Sequence, residues 1–219
     1  MADYGVPNEL EGALPWGWAV ERLARCRNFW VTTVDARHRP HSMPVWGVWS
    51  ESDERFFFCC APSSLKARNL AENPNVVVAV DDTVEVVSLE GVAGRLAVGS
   101  DADRYIAPYV AKYEPDPVKA AAMTKFVAEN SMFSVTPHRA FAVIEREEDF
   151  GPKATRWVWD QAGSRTVQHP SPTASRIAGS APPIVETRFE DLPIGLDGTL
   201  SPLRGAAIPA WSSSSVPML

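Results

Sequence analysis

Short runs of apolar and β-branched residues dominate the chain between residues 28 and 97. They occupy residues 28–35, 41–49, 55–60, 75–81 and 83–97, with short polar turns and one helical segment between them. Runs of this length and composition are typical of β-strands. Because the strands follow one another with few helices between them, the pattern favours a barrel over a doubly wound sheet.

Four segments have a helical pattern, and three further strands follow the last of them. The predicted helices are 15–25, 64–72, 100–113 and 118–130, and the later strands are 132–135, 138–146 and 154–159. The sequence therefore predicts one domain over residues 16–160, preceded by a loose arm at 1–15. Residues 161–219 carry many Pro, Ser and Gly without sustained periodicity, so we expect a tail that is partly disordered or docked on the domain.

Composition and charge exclude several classes of function. The net charge of −6 argues against a nucleic-acid-binding protein, which needs a basic face. No apolar run approaches the roughly 20 residues that span a bilayer, and the N-terminus lacks the basic-then-apolar pattern of a secretory signal. Three cysteines without a Cys-x-x-Cys pair indicate reduced thiols, and the four histidines lack the spacing of metal ligands. We therefore expect a cytoplasmic protein that binds neither nucleic acid nor membrane and has no metal site.

The segment after the strand 55–60 combines the features of a phosphate-binding turn. A turn that begins at Pro62 leads to Ser64, which suits a helix N-cap, and Pro74 ends the helix. Lys66 and Arg68 lie in the first helical turns. Free N–H groups, hydroxyls and cations therefore converge at one helix start, where an anion is stabilised. The alternative is an ordinary capped surface helix that carries basic residues.

Several motifs occur in a fixed order along the chain and together carry a family resemblance. They are Arg39-Pro40-His41, the strand Pro44–Val48, Ser64-Leu65-Lys66, Glu90-Gly91 and Ala154-Thr155-Arg156-Trp157. This ordered set resembles the pyridoxamine 5′-phosphate oxidase-like, FMN-binding split-barrel superfamily, and within it the flavin/deazaflavin oxidoreductases. The resemblance extends over about residues 16–160.

The resemblance implies a mainly β (α+β) fold, a six-stranded antiparallel split β-barrel with flanking helices that forms a homodimer. It also implies a cofactor, FMN or the deazaflavin coenzyme F-420, bound in the groove between the subunits. Carried onto this chain, Ser64 and Lys66 hold the cofactor phosphate. The oxidases of the superfamily have Ser-Arg-Lys where this chain has Ser64-Leu65-Lys66. One phosphate cation is therefore missing, and Arg68 or an arginine from the partner subunit is expected to replace it.

The other candidate contacts to the cofactor come from four places in the chain. They are Met43, Pro44, Val45 and Trp46 on one strand, Cys59 and Cys60 at the end of the next, Asn69 in the helix, and Arg156 and Trp157 near the end of the domain. Met43 stands where the oxidases carry another arginine, and Trp46 offers an aromatic surface to the flat ring. The alternatives are structural: core packing for both tryptophans, a hydrogen bond to a neighbouring turn for Asn69, and an ion pair for Arg156.

The chemistry that the resemblance implies is hydride transfer, for which the cofactor supplies the reactive atom. No catalytic acid is evident, and His41 and Tyr105 are the candidates to protonate a reduced substrate. The leading hypothesis is an oxidoreductase that uses reduced F-420 on an unsaturated or conjugated small molecule. Two alternatives stay open: an FMN-dependent reductase or pyridoxamine phosphate oxidase-like enzyme, and a non-catalytic protein that binds or carries a flavin or haem.

Overall fold

Strands make up most of residues 10–97 and 99–168, the part of the chain that this computed structural model describes. The helices there are α1 (Trp16–Arg25), α2 (Leu65–Glu72), α3 (Ser100–Tyr113) and α4 (Pro117–Ala128). The strands are β1 (Phe29–Val34), β2 (Pro40–Val45), β3 (Gly47–Ser50), β4 (Arg55–Cys60), β5 (Asn75–Val80), β6 (Glu85–Arg95), β7 (Ser131–Ile144), β8 (Thr155–Trp159) and β9 (Arg165–Gln168). All of the predicted helices and strands form.

Neighbouring strands are antiparallel, and the sheet follows the order β2-β1-β5-β6-β7-β4-β3, with β8 and β9 added beside β7. The first and last strands of this path are consecutive in the chain, and only Trp46 lies between them. The sheet therefore curls until its two ends meet at Trp46, but no ladder within the described residues joins those ends. When β2 and β3 are counted as one interrupted strand, the path has six strands. The predicted split barrel is confirmed.

The two ends of the sheet meet at a tight corner that needs a glycine. A Cβ atom on Gly47 would lie 2.1 Å from Cζ of Phe56 and 2.8 Å from the carbonyl oxygen of Phe57. The Gly47 N–H donates to the Tyr113 hydroxyl at 2.7 Å, and the Gly47 C=O accepts from the Lys112 ammonium at 3.0 Å. Helix α3 therefore satisfies backbone groups that the break in the strand leaves outside the ladder.

Both side chains that hold this corner are shielded from water. Burial raises the pKa of the Tyr113 hydroxyl to about 12. Burial also lowers the pKa of the Lys112 ammonium to about 8. The Tyr113 oxygen lies 2.8 Å from the C=O groups of both Arg27 and Gly47, and its single proton can serve one of them at a time. The hydroxyl is thus an acceptor and a donor at the same corner.

Two apolar clusters lie on opposite sides of β4. On the inner side, Phe56 and Phe58 are fully buried with Phe29 of β1 and Leu23 of α1. On the other side, α3 and α4 cover Phe57. Because both faces of β4 are covered, its three consecutive phenylalanines need no polar alternation. The outer faces of β1 and β6, in contrast, leave the large apolar side chains Trp30 and Val92 exposed.

The structure departs from the sequence prediction at three places. The predicted strand 41–49 is interrupted at Trp46, because the chain passes there from the β1 edge of the sheet to the β4 edge. Strand β7 is continuous, although the sequence predicts a break at residues 136–137. A register shift between Glu90 and Gly91 of β6 accommodates Pro137 within the sheet. Strand β9 was missed because its four residues are polar except for Val167, and pairing with β8 rather than local propensity orders them.

The predicted arm and tail fall largely outside the described residues. Residues 10–15 are the described part of the arm, where Leu14 is buried and its N–H donates to the Thr155 hydroxyl at 2.8 Å. At the other end, the sheet continues to Gln168, beyond the predicted end of the domain at residue 160. The remainder of the predicted tail, residues 169–219, lies outside the described residues.

Replacement of Tyr113 by Phe tests the importance of the Gly47 corner. The Tyr113→Phe variant loses the acceptor for the Gly47 N–H, and a buried donor left unpaired costs roughly 1–3 kcal/mol. We expect the free energy of unfolding, measured by urea denaturation, to fall by about this amount. Tyr105→Phe, which removes a more exposed hydroxyl from the same helix, should cause a smaller loss. Equal stability of the Tyr113→Phe variant and the wild type would show that the corner does not depend on this hydroxyl.

Candidate functional site

The start of α2 has the geometry that the sequence predicts. Ser64 is the N-cap, and its hydroxyl accepts a hydrogen bond from the Ala67 N–H at 3.3 Å. The same hydroxyl donates to Sγ of Cys60 at 3.3 Å, which ties the helix start to the end of β4. The N–H groups of Leu65 and Lys66 have no acceptor within the described residues. Two backbone donors at the positive end of a helix are therefore available to an anion.

The two cations of this helix differ in their surroundings. The Lys66 side chain is half-buried and forms no ion pair with any described residue. Arg68 is exposed, and its Nη1 donates back to the carbonyl oxygen of Ser63 at 2.5 Å. Lys66 is therefore the cation of α2 whose charge is uncompensated at the helix start.

The two adjacent cysteines point to opposite faces of β4. Cys60 lies on the inner face beside Ser64, whereas Sγ of Cys59 donates to the Tyr109 hydroxyl at 3.4 Å beneath α3. Burial raises the pKa of both thiols, and the positive charge of Lys66 partly opposes this rise in each. Cys60 is thus the member of the pair that the structure brings together with the predicted phosphate residues.

Asn69 attaches the middle of α2 to the barrel. Its Nδ2 donates to the Thr33 hydroxyl of β1 at 3.0 Å, and both side chains are buried, with 4% and 1% of their surfaces exposed. The structure therefore gives Asn69 a positioning contact within the protein. It fixes α2 across β1, whose other neighbour β2 carries the predicted ring-binding residues.

The predicted ring-binding strand is an edge strand with two accessible candidates. Met43 is 57% exposed and Pro44 is exposed, and alternation places them on opposite faces of β2. Val45 is buried in the core. Trp46 stacks on Tyr113, with ring centroids 4.7 Å apart and an interplanar angle of 6°. Of the four candidates, Met43 and Pro44 are therefore the ones that a ligand can reach.

Within one chain, Arg156 and Trp157 lie far from the start of α2. Trp157 is fully buried and packs against Trp16 at 5.1 Å, so its ring is a core side chain rather than a wall of a groove. Arg156 is half-buried on the opposite face and has no ion pair within the described residues. Arg156 pairs with Phe141 of β7, whereas Cys60 pairs with Ser131 of the same strand. These two positions are ten residues apart, which corresponds to roughly 30 Å along β7.

The two candidates for protonation lie on different elements. The His41 ring approaches Oδ2 of Asp35 at 3.1 Å in the β1–β2 hairpin, and it sits opposite Thr33 in the register. Tyr105 belongs to α3 and stacks on Phe57 of β4, with ring centroids 3.5 Å apart. Burial raises the pKa of Tyr105. His41 lies on the same face of the sheet as Thr33, which hydrogen-bonds to Asn69 of α2. Tyr105 lies on the other side of β4.

A further cation, Arg95, escaped the sequence analysis. It ends β6, its side chain is exposed, and its charge acts on the Cys60 thiol together with that of Lys66. Local sequence gives no indication of this placement, because Arg95 is 29 positions after Lys66 and on another strand. The signal lies in the pairing register of β6 with β7 and of β7 with β4.

The described residues lack the features of two other kinds of site. No group of three or more His, Cys, Asp or Glu side chains in residues 10–97 and 99–168 is arranged to bind a metal ion. None of the helices in this range combines the length and the hydropathy of a membrane crossing. Cys26, Cys59 and Cys60 are all free thiols.

Comparison with known proteins places the chain in a family. The family model of pyridoxamine 5′-phosphate oxidase matches residues 19–144, which is more than half of the chain. The chain therefore belongs to the pyridoxamine 5′-phosphate oxidase family, as its ordered motifs indicate. None of the curated proteins matches the sequence significantly.

Solved structures share the fold at low sequence identity. A conserved hypothetical protein from Mycobacterium tuberculosis aligns with a TM-score of 0.56 and 16% identity, over 64% of this chain and 91% of its own. A pyridoxamine 5′-phosphate oxidase-related, FMN-binding protein from Nostoc punctiforme aligns at 0.52 and 16%, over 73% and 98%. ChuZ from Campylobacter jejuni aligns at 0.52 and 12%, over 68% and 59%. At these identities the similarity shows the fold alone.

Replacement of Lys66 by Ala tests the predicted phosphate contact. A charge-assisted hydrogen bond contributes roughly 1.5–3 kcal/mol, so Lys66→Ala should weaken the binding of FMN or F-420 by about ten-fold or more. Lys119→Ala, which removes an exposed cation from α4, is the matched control and should leave the dissociation constant unchanged. Thermal unfolding should show that both variants remain folded. Unchanged cofactor affinity in Lys66→Ala would exclude Lys66 from the site.

Proposed function

We propose that this protein is a homodimeric oxidoreductase that uses reduced coenzyme F-420 to reduce an unsaturated or conjugated small molecule. The observation that carries this proposal is the start of α2. Two N–H groups there lack acceptors, and the cation beside them lacks a carboxylate partner, among the residues that the structure describes. A surface helix that served stability alone would gain nothing from an uncompensated charge held half-buried at this end.

The start of α2 and the edge of β2 supply complementary parts of a cofactor site. The backbone of Leu65 and Lys66, the Ser64 hydroxyl and the Lys66 ammonium are the donors that hold a phosphate. Met43 and Pro44 offer apolar surface on opposite faces of β2, so one of them meets the face of a flat ring, at an edge that no strand of the described residues covers. When bound, the cofactor provides hydride transfer, and the residues around it bind, orient and exclude water.

The charges around this site favour F-420 over FMN. F-420 continues beyond its phosphate into an acidic tail, which requires an open and basic surface. Arg68 is exposed at this helix, and Arg37 in the β1–β2 turn has no ion pair within the described part of the chain. Arg39 of the same turn is instead held by Asp35 at 2.7 Å.

The exposed outer face of the sheet suits contact with a second copy of the chain. One row of paired residues crosses this face from β2 to β8, in the order Pro44, Trp30, Ala79, Ser88, Phe141 and Arg156. Trp30, the second residue of β1, is 46% exposed. The row begins beside the predicted ring-binding strand and ends at Arg156, so a two-fold partner that covers it has its own arginine available to the facing site.

The cellular compartment in this proposal follows from the thiols. All three cysteines are free, and two of them are adjacent on one strand, where no disulfide joins them. Free thiols of this kind suit a reducing compartment, so we place the protein in the cytoplasm.

Binding titrations with purified F-420 and FMN test the choice of cofactor. We expect tighter binding of F-420 than of FMN at physiological salt, and weaker F-420 binding as salt rises, because exposed charges are screened over a Debye length of about 8–10 Å. Tighter binding of FMN would favour the FMN-dependent alternative. Tight binding of either cofactor with no turnover in a screen of conjugated substrates would favour a carrier.

Replacement of Trp30 by Glu tests the proposed dimer. The Trp30→Glu variant places a charge at the centre of the outer face, and burial of an unpaired charge opposes association. We expect a monomer by light scattering where the wild type is a dimer, together with weaker cofactor binding. The control is Val118→Glu, because Val118 is 84% exposed on α4 and outside this face. A Trp30→Glu dimer with wild-type affinity would place the interface elsewhere.

A further inference from the structure

The cation that Ser64-Leu65-Lys66 lacks has a replacement in the fold. Within α2, Arg68 is turned toward the carbonyl oxygen of Ser63 at 2.5 Å, and its side chain is exposed. A second cation that faces the same point as Lys66 must therefore come from another element. The strand pairing identifies one such cation at the end of β6.

Arg95 lies on the inner face of the sheet at the end where α2 begins. In the register, Arg95 pairs with Phe133 of β7, and Phe133 pairs with Phe58 of β4. Residues directly opposite each other in antiparallel strands share a face, and residues two apart on one strand also share it. Cys60 is therefore on the same face as Arg95, and Cys60 is the residue that accepts the hydrogen bond from Ser64.

The charge of Arg95 is uncompensated in the same way as that of Lys66. Arg95 forms no ion pair with any residue in the described ranges, although Asp103 lines the cavity beside it. Burial raises the pKa of the Cys60 thiol, and the positive charges of Lys66 and Arg95 both oppose this rise. The two cations thus act on one sulfur atom from two different elements.

The buried hydroxyl of Ser131 lies at the same end of the barrel and indicates a place for a polar ligand. Ser131 pairs directly with Cys60, its side chain is 3% exposed, and its Oγ has no hydrogen-bond partner within the described residues. It lines a cavity of about 40 Å³ together with the polar residues Arg95, Asn130 and Asp103, and the remaining walls are apolar and come largely from α3 and α4. A buried hydroxyl without a partner is costly, and a cavity of this size with several polar groups in its wall accommodates water or an oxyanion oxygen.

We propose that Arg95 is the second cation for the cofactor phosphate, with the Ser131 hydroxyl as an additional donor behind it. This inference rests on the proposed function and deepens it, because it names how the site restores the charge that its sequence motif lacks. The phosphate then lies between the start of α2 and the end of β6, and the two elements contribute one cation each.

The test compares cofactors with and without a phosphate. Arg95→Gln should weaken FMN and F-420 binding by about ten-fold or more, since a charge-assisted contact is lost. Binding of riboflavin, which has the FMN ring and chain but no phosphate, should not change. Arg55→Gln removes an exposed arginine from the opposite end of β4 and is the matched control. It should leave the affinity for all three ligands within about three-fold of the wild type, as expected for an exposed charge. Inorganic phosphate alone should raise the melting temperature of the wild type but not of Arg95→Gln.

Ser131→Ala provides an independent readout. Without cofactor, the variant should be at least as stable as the wild type, because it removes a buried hydroxyl that has no partner. With FMN, its affinity should fall while its affinity for riboflavin stays the same. A lower stability without cofactor and unchanged FMN affinity would show that the hydroxyl serves the fold, and would remove it from the phosphate site.

The outcomes separate this inference from the proposed function. Equal losses of FMN and riboflavin affinity in Arg95→Gln, or no loss of either, would overturn the role of Arg95 while Lys66→Ala still reports on the helix start. A wild-type protein that binds neither FMN nor F-420 would overturn the proposed function and this inference together.

Discussion

The backbone of Gly47 is held by helix α3, and the shape of the barrel depends on that contact. At this point one extended segment leaves the β1 edge of the sheet and joins the β4 edge, so the ladder must break. The Tyr113 hydroxyl and the Lys112 ammonium take over the hydrogen bonds of the Gly47 N–H and C=O groups. The break leaves β2 with an edge that no strand of residues 10–97 and 99–168 covers. The exposed side chains Met43 and Pro44 on that edge are a direct consequence.

The positive charge of the site comes from cations and N–H groups that have no partner within the described residues. Most arginines in the described part of the chain form ion pairs with carboxylates, for example Arg22 with Glu85 at 2.6 Å. Lys66 and Arg95 instead act on Cys60 and have no carboxylate partner in the described part of the chain. Neighbouring N–H groups at the start of α2 also lack acceptors there. Charges and donors of one sign, gathered at one end of a barrel, cost stability unless an anion joins them, and this is the physical basis of the proposed phosphate site.

Local chemistry made some elements predictable from sequence, while distant contacts decided the others. The helix after Ser64 was predictable because an N-cap serine, a basic first turn and a terminating Pro74 lie within a few residues. The corner at Gly47 was not, since it depends on the Phe56 ring and on Tyr113, which is 66 positions away. The hydrogen bond of Asn69 to Thr33, across 36 positions, was equally hidden.

Long-range contacts also explain why some candidate residues do not have the environment that a ligand contact requires. Trp157 has the composition of a ring-stacking residue, but strand alternation turns it into the core, whereas its neighbour Arg156 faces outward. Arg95 was overlooked because only the register of three strands brings it to Cys60. The fold class was predictable because it rests on many short strands, while the site depends on a few long-range pairings.

A crystal structure of the protein with FMN or F-420 bound would locate the phosphate site. We expect the cofactor phosphate at the start of α2, within hydrogen-bond distance of the Ser64 hydroxyl and the Lys66 ammonium, and the ring along the exposed edge of β2. A phosphate bound elsewhere, with Lys66 in solvent, would rule out the proposed site even if the protein proved to be an oxidoreductase.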